Sequence, residues 1–271
     1  MGISPKKELR RFLAEDIGKG DISSALLPKK KVFAKIISRE DAIVAGAKYA
    51  KDLFTLKGCK VKINIKDGQS VRKNQKVLEI SGTPQGILSV ERTALNLLSR
   101  MSGIATQTNQ LVKKIPKSTK IYATRKTAPG LRLFDKEAVE IGGGNKHRMS
   151  LDEMVMLKDN HLAVSSSIEK VLNDAKRKYR KVEIEVENKS DAILAAKLGA
   201  DIIMLDNFTP NRITQTISEL KKLGLRKKVI IEASGGITAK NISKYAKSGS
   251  DIISIGAITN SVSGIDFSLE I

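Results

Sequence analysis

Arg125 and Lys126 close a short apolar run in ATRKTAPGLR, and GGGNKHR then sets three glycines ahead of His147 and Arg148. The chain has only two histidines, and the second, His161, follows in LKDNH behind Lys158. Arg125, Lys126, His147, Arg148 and Lys158 form a cationic zone, with Thr124 at its edge. Arginine's planar fork suits a carboxylate or a phosphate. Further on, EVEN supplies Glu187 and MLDN supplies Asp206, an acidic pair able to hold Mg2+ or to bind sugar hydroxyls. Two late turns, Ser234-Gly235-Gly236 and Ile255-Gly256-Ala257, offer backbone N–H groups at expected helix starts, which suits a phosphate. Taken singly, each basic residue reads as a surface charge and Asp206 as a helix cap. Taken together they describe a ligand with carboxylates, a ribose and phosphates.

The elements that must position these residues are legible from periodicity. Short apolar runs, IYAT, MVML, VEIEVE, IIML, VIIEA and IISI, alternate with helical segments, the pattern of a parallel sheet covered by helices. Each zone above follows one of these runs, and in α/β barrels that carboxyl rim carries the active site. AKLGADIIML recurs as AKSGSDIISI, each with a glycine cap, an Asp and a buried strand, which fits a closed or nearly closed barrel. Before residue 110 the pattern is mixed. VFAKIISRE and KVKINI read as strands and AKYAKDLFTLKG as a helix closed by Gly58. DGQSVRKNQKVLEISG has the turn-strand pattern of a biotinyl or lipoyl carrier module, without the hairpin that presents a modifiable lysine. From Val90 to Ile115 the stripe Val90, Ala94, Leu97, Met101, Ala105 predicts a helix that Pro116 stops. Arg92 lies about 200° round from Val90 and points away from that stripe.

Composition narrows the classes. The 271 residues allow one large domain or two unequal ones. No apolar run approaches the roughly 20 residues of a membrane helix, so no membrane partner is expected. One cysteine, Cys59, and no CxxC argue against disulfides and for a reducing cytoplasm. A net charge of +20 suits polyanions, yet the lysines are spread through the chain as a solvated surface. Stacking platforms for RNA are scarce, with no Trp, 4 Tyr and 6 Phe, so no nucleic-acid partner is expected.

ERTALNLLSRMSGIAT, ATRKTAPGLR, GGGNKHR, LKDNH, EVEN, MLDN and EASGGI, in this order, with EDIGKGDISSALLP near the start, resemble the quinolinate phosphoribosyltransferases over essentially the whole chain. Lys146 stands where that family often has Asn, and Ser150 where it often has Gly. Related molybdenum-utilisation proteins share TRKT and a glycine run but lack the PGLR and KDNH pair. The resemblance implies a type II phosphoribosyltransferase: an N-terminal α/β sandwich over residues 1–110, rejoined by the tail 259–271, and an incomplete, TIM-like α/β barrel over 111–258. It implies transfer of phosphoribosyl from phosphoribosyl pyrophosphate to quinolinate with decarboxylation, and Mg2+ as cofactor. It also implies a homodimer in which Arg92 reaches the partner's substrate carboxylates. Arg125, Lys126, His147, Arg148 and Lys158 would surround quinolinate, with Thr124 beside them. Glu187 and Asp206 would serve the ribose and Mg2+, with Lys126, Glu187 and Asp206 catalytic. Ser234, Gly235, Gly236, Ile255, Gly256 and Ala257 would hold the 5′-phosphate.

Overall fold

The computed structural model describes residues 4–165 and 167–271. The chain runs through α1 (Pro5–Ile17), β1 (Val32–Ser38), β2 (Ala42–Ile43), α2 (Ala47–Leu56), β3 (Lys60–Ile63), β4 (Ser70–Val71), β5 (Lys76–Gly82), α3 (Pro84–Val112), β6 (Lys120–Tyr122) and α4 (Arg132–Ile141). It continues through β7 (Val155–Leu157), α5 (Asp159–Ala163), α6 (Ile168–Lys178), β8 (Val182–Val186), α7 (Lys189–Lys197), β9 (Ile202–Asp206) and α8 (Pro210–Lys222). Last come β10 (Ile230–Ser234), α9 (Ile242–Ala246), β11 (Ile252–Ser254), α10 (Ala257–Asn260) and β12 (Phe267–Glu270). These fall into two compact units. One takes the described part of Met1–Asn109 with Thr127–Gly143 and Ile258–Ile271; the other takes Gln110–Lys126 and Gly144–Ala257.

The first unit is built on an antiparallel sheet in the order β12-β1-β5-β3. Ala34, Ile36, Leu78 and Ile80 are buried, in a core shared with Leu53 and Phe54 of α2 and Ile87, Val90, Leu98 and Met101 of α3. Register places Glu270, Lys35, Glu79 and Lys62 side by side across β12, β1, β5 and β3. That ladder alternates in sign, and Lys35–Glu270 (3.1 Å) and Lys62–Glu79 (3.7 Å) are ion pairs. Each lysine of the ladder is matched by a glutamate, so this face adds nothing to the net charge. Helix α3 begins at Pro84 rather than Val90, because proline suits a first turn whose amides need no helical partner. It ends at Val112, ahead of Pro116.

The segment Thr127–Gly143, read from the sequence as part of the barrel, packs instead with the first unit. The reason is α4. Its Phe134, Ala138 and Val139 are buried, and the Phe134 ring meets Tyr49 edge-on at 4.9 Å. Asp135, fully buried, takes Arg100 Nε at 2.7 Å and Nη2 at 2.9 Å in a bidentate pair. Arg100 of the ERTALNLLSRMSGIAT motif therefore works as a structural tie.

The second unit holds a six-stranded parallel sheet in the order β6-β11-β10-β9-β8-β7. Its edge strands β6 and β7 are not paired with each other, so the barrel is incomplete. Ile184, Ile203, Leu205, Ile231, Ala233 and Ile253 are buried, as continuous apolar strands between helices require. The repeated Asp does the same job twice. Asp201 Oδ2 accepts the β8 amide of Val182 at 2.7 Å, and Asp251 Oδ2 accepts the β10 amide of Ile231 at 2.7 Å. Each has a basic partner, Lys176 at 2.9 Å and Arg226 at 2.8 Å. The internal echo marks the amino-terminal end of the sheet, where strands start, and leaves the opposite rim free for ligands.

Candidate active site

Strand alternation decides what the rim presents. In β8, Val182, Ile184 and Val186 are buried on one face, so Glu183 and Glu185 share the other. In β9 and β10, Met204, Asp206, Glu232 and Ser234 fall on the corresponding face, paired as Met204↔Glu232 and Asp206↔Ser234. One cavity of about 440 Å³ is lined from the carboxyl ends of all six strands: Thr124, Arg125 and Lys126 after β6, Met156 and Lys158 at β7, Glu185, Met204, Asp206, Glu232, Ser234 and Ser254. Only a curled sheet brings both edge strands to one cavity. His147, Arg148, Leu151 and His161 complete the lining.

The five residues of the expected cationic zone all line this cavity. Asp206 closes β9 and lines it too, accepting Asn207 Nδ2 at 2.7 Å. Glu187 is the first residue past β8 and is exposed; its carbonyl accepts Arg212 Nη2 at 2.8 Å. It is not a lining residue, although the pairing Val186↔Leu205 brings the next residues, Glu187 and Asp206, level. Arg92 is exposed on α3 of the first unit.

The late turns differ from expectation in detail. Ser234 lines the cavity, but the 234–236 turn does not open a helix, since α9 starts only at Ile242. Gly235 has φ 89°, and a Cβ there would sit 2.2 Å from Asn207 Oδ1. Asn207 N also donates to Ser234 O at 2.9 Å, so the two turns are packed against each other and only glycine fits. Ile255 is buried and its amide donates to Tyr122 O at 3.1 Å, so that N–H holds β11 to β6 and is not offered to a phosphate. Gly256 lies beside the β6 rim: a Cβ would stand 3.0 Å from Lys126 Cδ and 3.5 Å from Thr124 Oγ1. Ala257 begins the four-residue helix α10.

Electrostatics favour an anionic ligand. Burial, then the neighbouring Arg125 guanidinium, disfavours charge on Arg148 and lowers its pKa. An anion between the two would relieve both effects. Arg148 is held by its ends, Nη1 donating to Met154 O at 3.0 Å and Nη2 touching Met156 Sδ at 3.3 Å. Lys158 pairs with Glu185 at 2.5 Å, which keeps its ammonium at the rim.

Two buried groups, Glu183 and Glu232, were missed from the sequence because VEIEVE and VIIEA were read as plain apolar runs. Glu183 and Glu232 are fully buried, and donor atoms of His147, Glu183 and Glu232 lie within 4.8 Å of one another. The period-two spacing of Glu183, Glu185 and Glu187 was the available signal. His147 has φ 53°, with Nε2 3.3 Å from Glu183 Oε2 and 3.6 Å from Glu232 Oε2. Burial opposes charge on this ring, but Glu183 and Glu232 outweigh burial and raise its pKa to about 9. Yet Nδ1 accepts the Arg148 amide at 2.8 Å, which a doubly protonated ring cannot do. The geometry decides between them. Burial first, and Glu232 as well, also raise Glu183, so the extra proton belongs on the Glu183 carboxyl and Nε2 carries the ring's one proton.

Comparison with known proteins agrees with this architecture. The model of the quinolinate phosphoribosyl transferase N-terminal domain matches residues 21–102, and that of the C-terminal domain matches residues 104–270. A probable nicotinate-nucleotide pyrophosphorylase (carboxylating) of Archaeoglobus fulgidus is 45% identical over 255 residues, covering 93% of this chain and 98% of the relative. The nicotinate-nucleotide pyrophosphorylase (carboxylating) of Dictyostelium discoideum is 37% identical over 287 residues, covering 98% and 95%. The solved nicotinate-nucleotide pyrophosphorylase of Francisella tularensis superposes with a TM-score of 0.92 at 38% identity, covering 99% of this chain and 97% of that one. With two domain models matched in tandem and relatives aligned end to end, the chain belongs to the quinolinate phosphoribosyltransferase family.

Proposed function

We propose that this cavity is where the chain transfers the phosphoribosyl group of phosphoribosyl pyrophosphate to quinolinate, releasing CO2 and diphosphate and giving nicotinate mononucleotide. This is the nicotinate-nucleotide pyrophosphorylase (carboxylating) reaction of NAD biosynthesis, a pentosyl transfer. The observation that carries the reading is the convergence of Arg125, Lys126, Arg148 and Lys158 on one cavity, where burial and the neighbouring Arg125 disfavour charge on Arg148 and an anion would offset both. One carboxylate would not need so many cations, and quinolinate has two.

Arg125, Arg148 and Lys158 receive the two carboxylates, with His147 in the floor and Thr124 at the edge. Lys126, at the β6 rim, joins them around quinolinate. Asp206 takes the ribose, and the Ser234-Gly235-Gly236 and Gly256-Ala257 turns take the 5′-phosphate. The C1–oxygen bond to diphosphate breaks as the pyridine nitrogen bonds to C1, and the diphosphate leaves with the bonding electrons. The quaternised nitrogen then accepts the charge left as the adjacent carboxylate departs as CO2, and a proton from solvent takes its place. The protein's share is positioning and electrostatics, with no covalent nucleophile. Glu187 and Asp206 are the residues that would hold Mg2+. They are hard oxygen donors at level positions of neighbouring strands, and the ion would offset charge on the diphosphate. We place Arg92 in the cavity of a second subunit of a homodimer, in a reducing cytoplasm that a single buried Cys59 suits.

The test is the purified chain with quinolinate, phosphoribosyl pyrophosphate and Mg2+. CO2 and nicotinate mononucleotide should appear in equal amounts, with nicotinate a poor substitute. Equal rates with nicotinate would overturn the dicarboxylate assignment.

A further inference from the structure

At the cavity floor lie two buried carboxylates, Glu183 and Glu232, that the transfer reaction does not itself use. Both oxygens of Glu183 and Oε2 of Glu232 are buried without a geometrically aligned hydrogen bond. Oε1 of Glu232 is held by the Ser254 hydroxyl. Burying two carboxylates is costly unless something compensates, and the group nearest both orphaned edges is the His147 Nε2. The other groups facing this cluster are the Tyr122 ring, edge-on to His147 at 5.7 Å, and Arg148.

Two chemistries fit an imidazole between two buried carboxylates. A cation bound at Nε2 would leave the ring proton on Nδ1. That proton would point at the Arg148 N–H, whose nitrogen is 2.8 Å away, and two donors cannot share the contact. A proton on Nε2 satisfies both sides: it faces the carboxylates, and the bare Nδ1 accepts the amide.

We propose that Glu183 and Glu232 are positioning residues for the anion end of the cavity, fixing the His147 ring in its Nε2–H form so that Nδ1 holds the Arg148 backbone amide and sets the guanidinium that receives a substrate carboxylate. The proposal rests on the functional reading above only in naming that carboxylate as quinolinate's. His147 has a left-handed backbone, uncommon for a residue with a Cβ, and its ring bond to the next amide ties that conformation to the direction of Arg148. The same Arg148 is gripped at its far end by Met154 O and Met156 Sδ. Two anchors on the side chain and one on the backbone amide of the same residue give the rigidity that two-point carboxylate recognition needs.

The experiment uses nitrogen-15 correlation spectra of the full chain, whose two imidazoles are told apart with His147→Gln. At pH 7 the His147 ring should be neutral, protonated at Nε2, with a hydrogen-bonded bare Nδ1. Glu183→Leu and Glu232→Gln should disturb that form and weaken quinolinate binding by calorimetry by roughly 10-fold or more, the usual scale for outer-shell partners, whereas Glu183→Gln, which copies the protonated carboxyl, should keep both. Phosphoribosyl pyrophosphate binding should stay within about twofold, a split that general loss of structure would not produce. An Nδ1–H or doubly protonated ring in the wild type overturns the proposal. So does a stoichiometric metal ion in the purified chain, or unchanged quinolinate affinity in folded Glu183→Leu and Glu232→Gln variants. If neither variant folds, the wild-type ring form decides alone. If the wild type binds no quinolinate, the functional reading fails while the ring form still tests the relay.

Discussion

At the scale of single residues, proton placement is the feature most open to test. With the His147 ring held neutral by its bond to the Arg148 amide, the Glu183 carboxyl is the group that binds its proton more tightly in the folded chain than its ordinary value of 4.5; burial is the main cause, and the Glu232 charge adds to it. A folded state that holds a proton the unfolded chain would release is stabilised below the unfolded value and loses that stability as pH rises through the folded one. The wild-type melting temperature should therefore fall as pH rises from 4.5 through the raised Glu183 value, and Glu183→Gln, which removes the titrating carboxyl, should flatten that slope. Calorimetric melting across this range checks it; parallel slopes in wild type and variant would show that the cluster does not hold the proton.

Among elements, the strands carry two kinds of acid, told apart by which end of the strand they occupy. Asp201 and Asp251 sit where strands begin and hold neighbouring backbone amides together. Glu185 and Asp206 stand at the other end and line the cavity. Asp251→Ala should lower stability by about 1–2 kcal/mol, the usual loss for one charged side-chain bond to a backbone amide, reduced here because the Asp251–Arg226 pair is partly exposed. Its turnover well below the melting temperature should stay within about twofold of wild type, because only the structural end is touched. Thermal melts paired with initial rates would show this, and lost turnover with an unchanged melt would move the echo aspartates into the site. Helix α4 makes a related point. Its buried Phe134 and Asp135 bind it to the unit of α3 although its sequence lies between β6 and β7.

For the whole molecule, the exposed Arg92 is the residue whose proposed partner belongs to a second copy of the chain. Arg92→Ala should fold normally, because an exposed arginine contributes little to the core, and should lose most activity. Mixing Arg92→Ala with Lys126→Ala, under conditions where subunits exchange, tests the shared site directly. A mixed dimer then has one cavity carrying both changes and one carrying neither, so activity should return towards half of wild type. A mixture as inactive as its parents after confirmed exchange would place Arg92 in its own chain's site. The net charge of +20 belongs at this scale too. The ladder of ion pairs on the first unit's sheet is neutral and contributes nothing to it, and of the 49 lysines and arginines only Arg125, Lys126, Arg148 and Lys158 line the cavity.

By itself the sequence determined what is local: the alternation of apolar strands and helices, the parallel class of the second sheet, the repeated Asp before its strands, and the cations just past strand ends. These follow from periodicity and backbone chemistry within a few residues, so they survive without knowledge of the fold. Its motifs also carried the family. Only the tertiary structure decided which side chains meet. Curling the sheet sets Thr124 and Lys158, at opposite edges, on one cavity. It leaves Glu187 at the exposed rim and puts Glu185 in the lining in its place. Pairing of β11 with β6 closes the Ile255 amide onto Tyr122, and the buried face of α4 takes Thr127–Gly143 into the other unit. The His147, Glu183 and Glu232 cluster joins three positions far apart in the chain, and no local pattern encodes that meeting. The physical reason is that periodicity says which face a residue shares, while sheet curvature and strand order say what that face encloses.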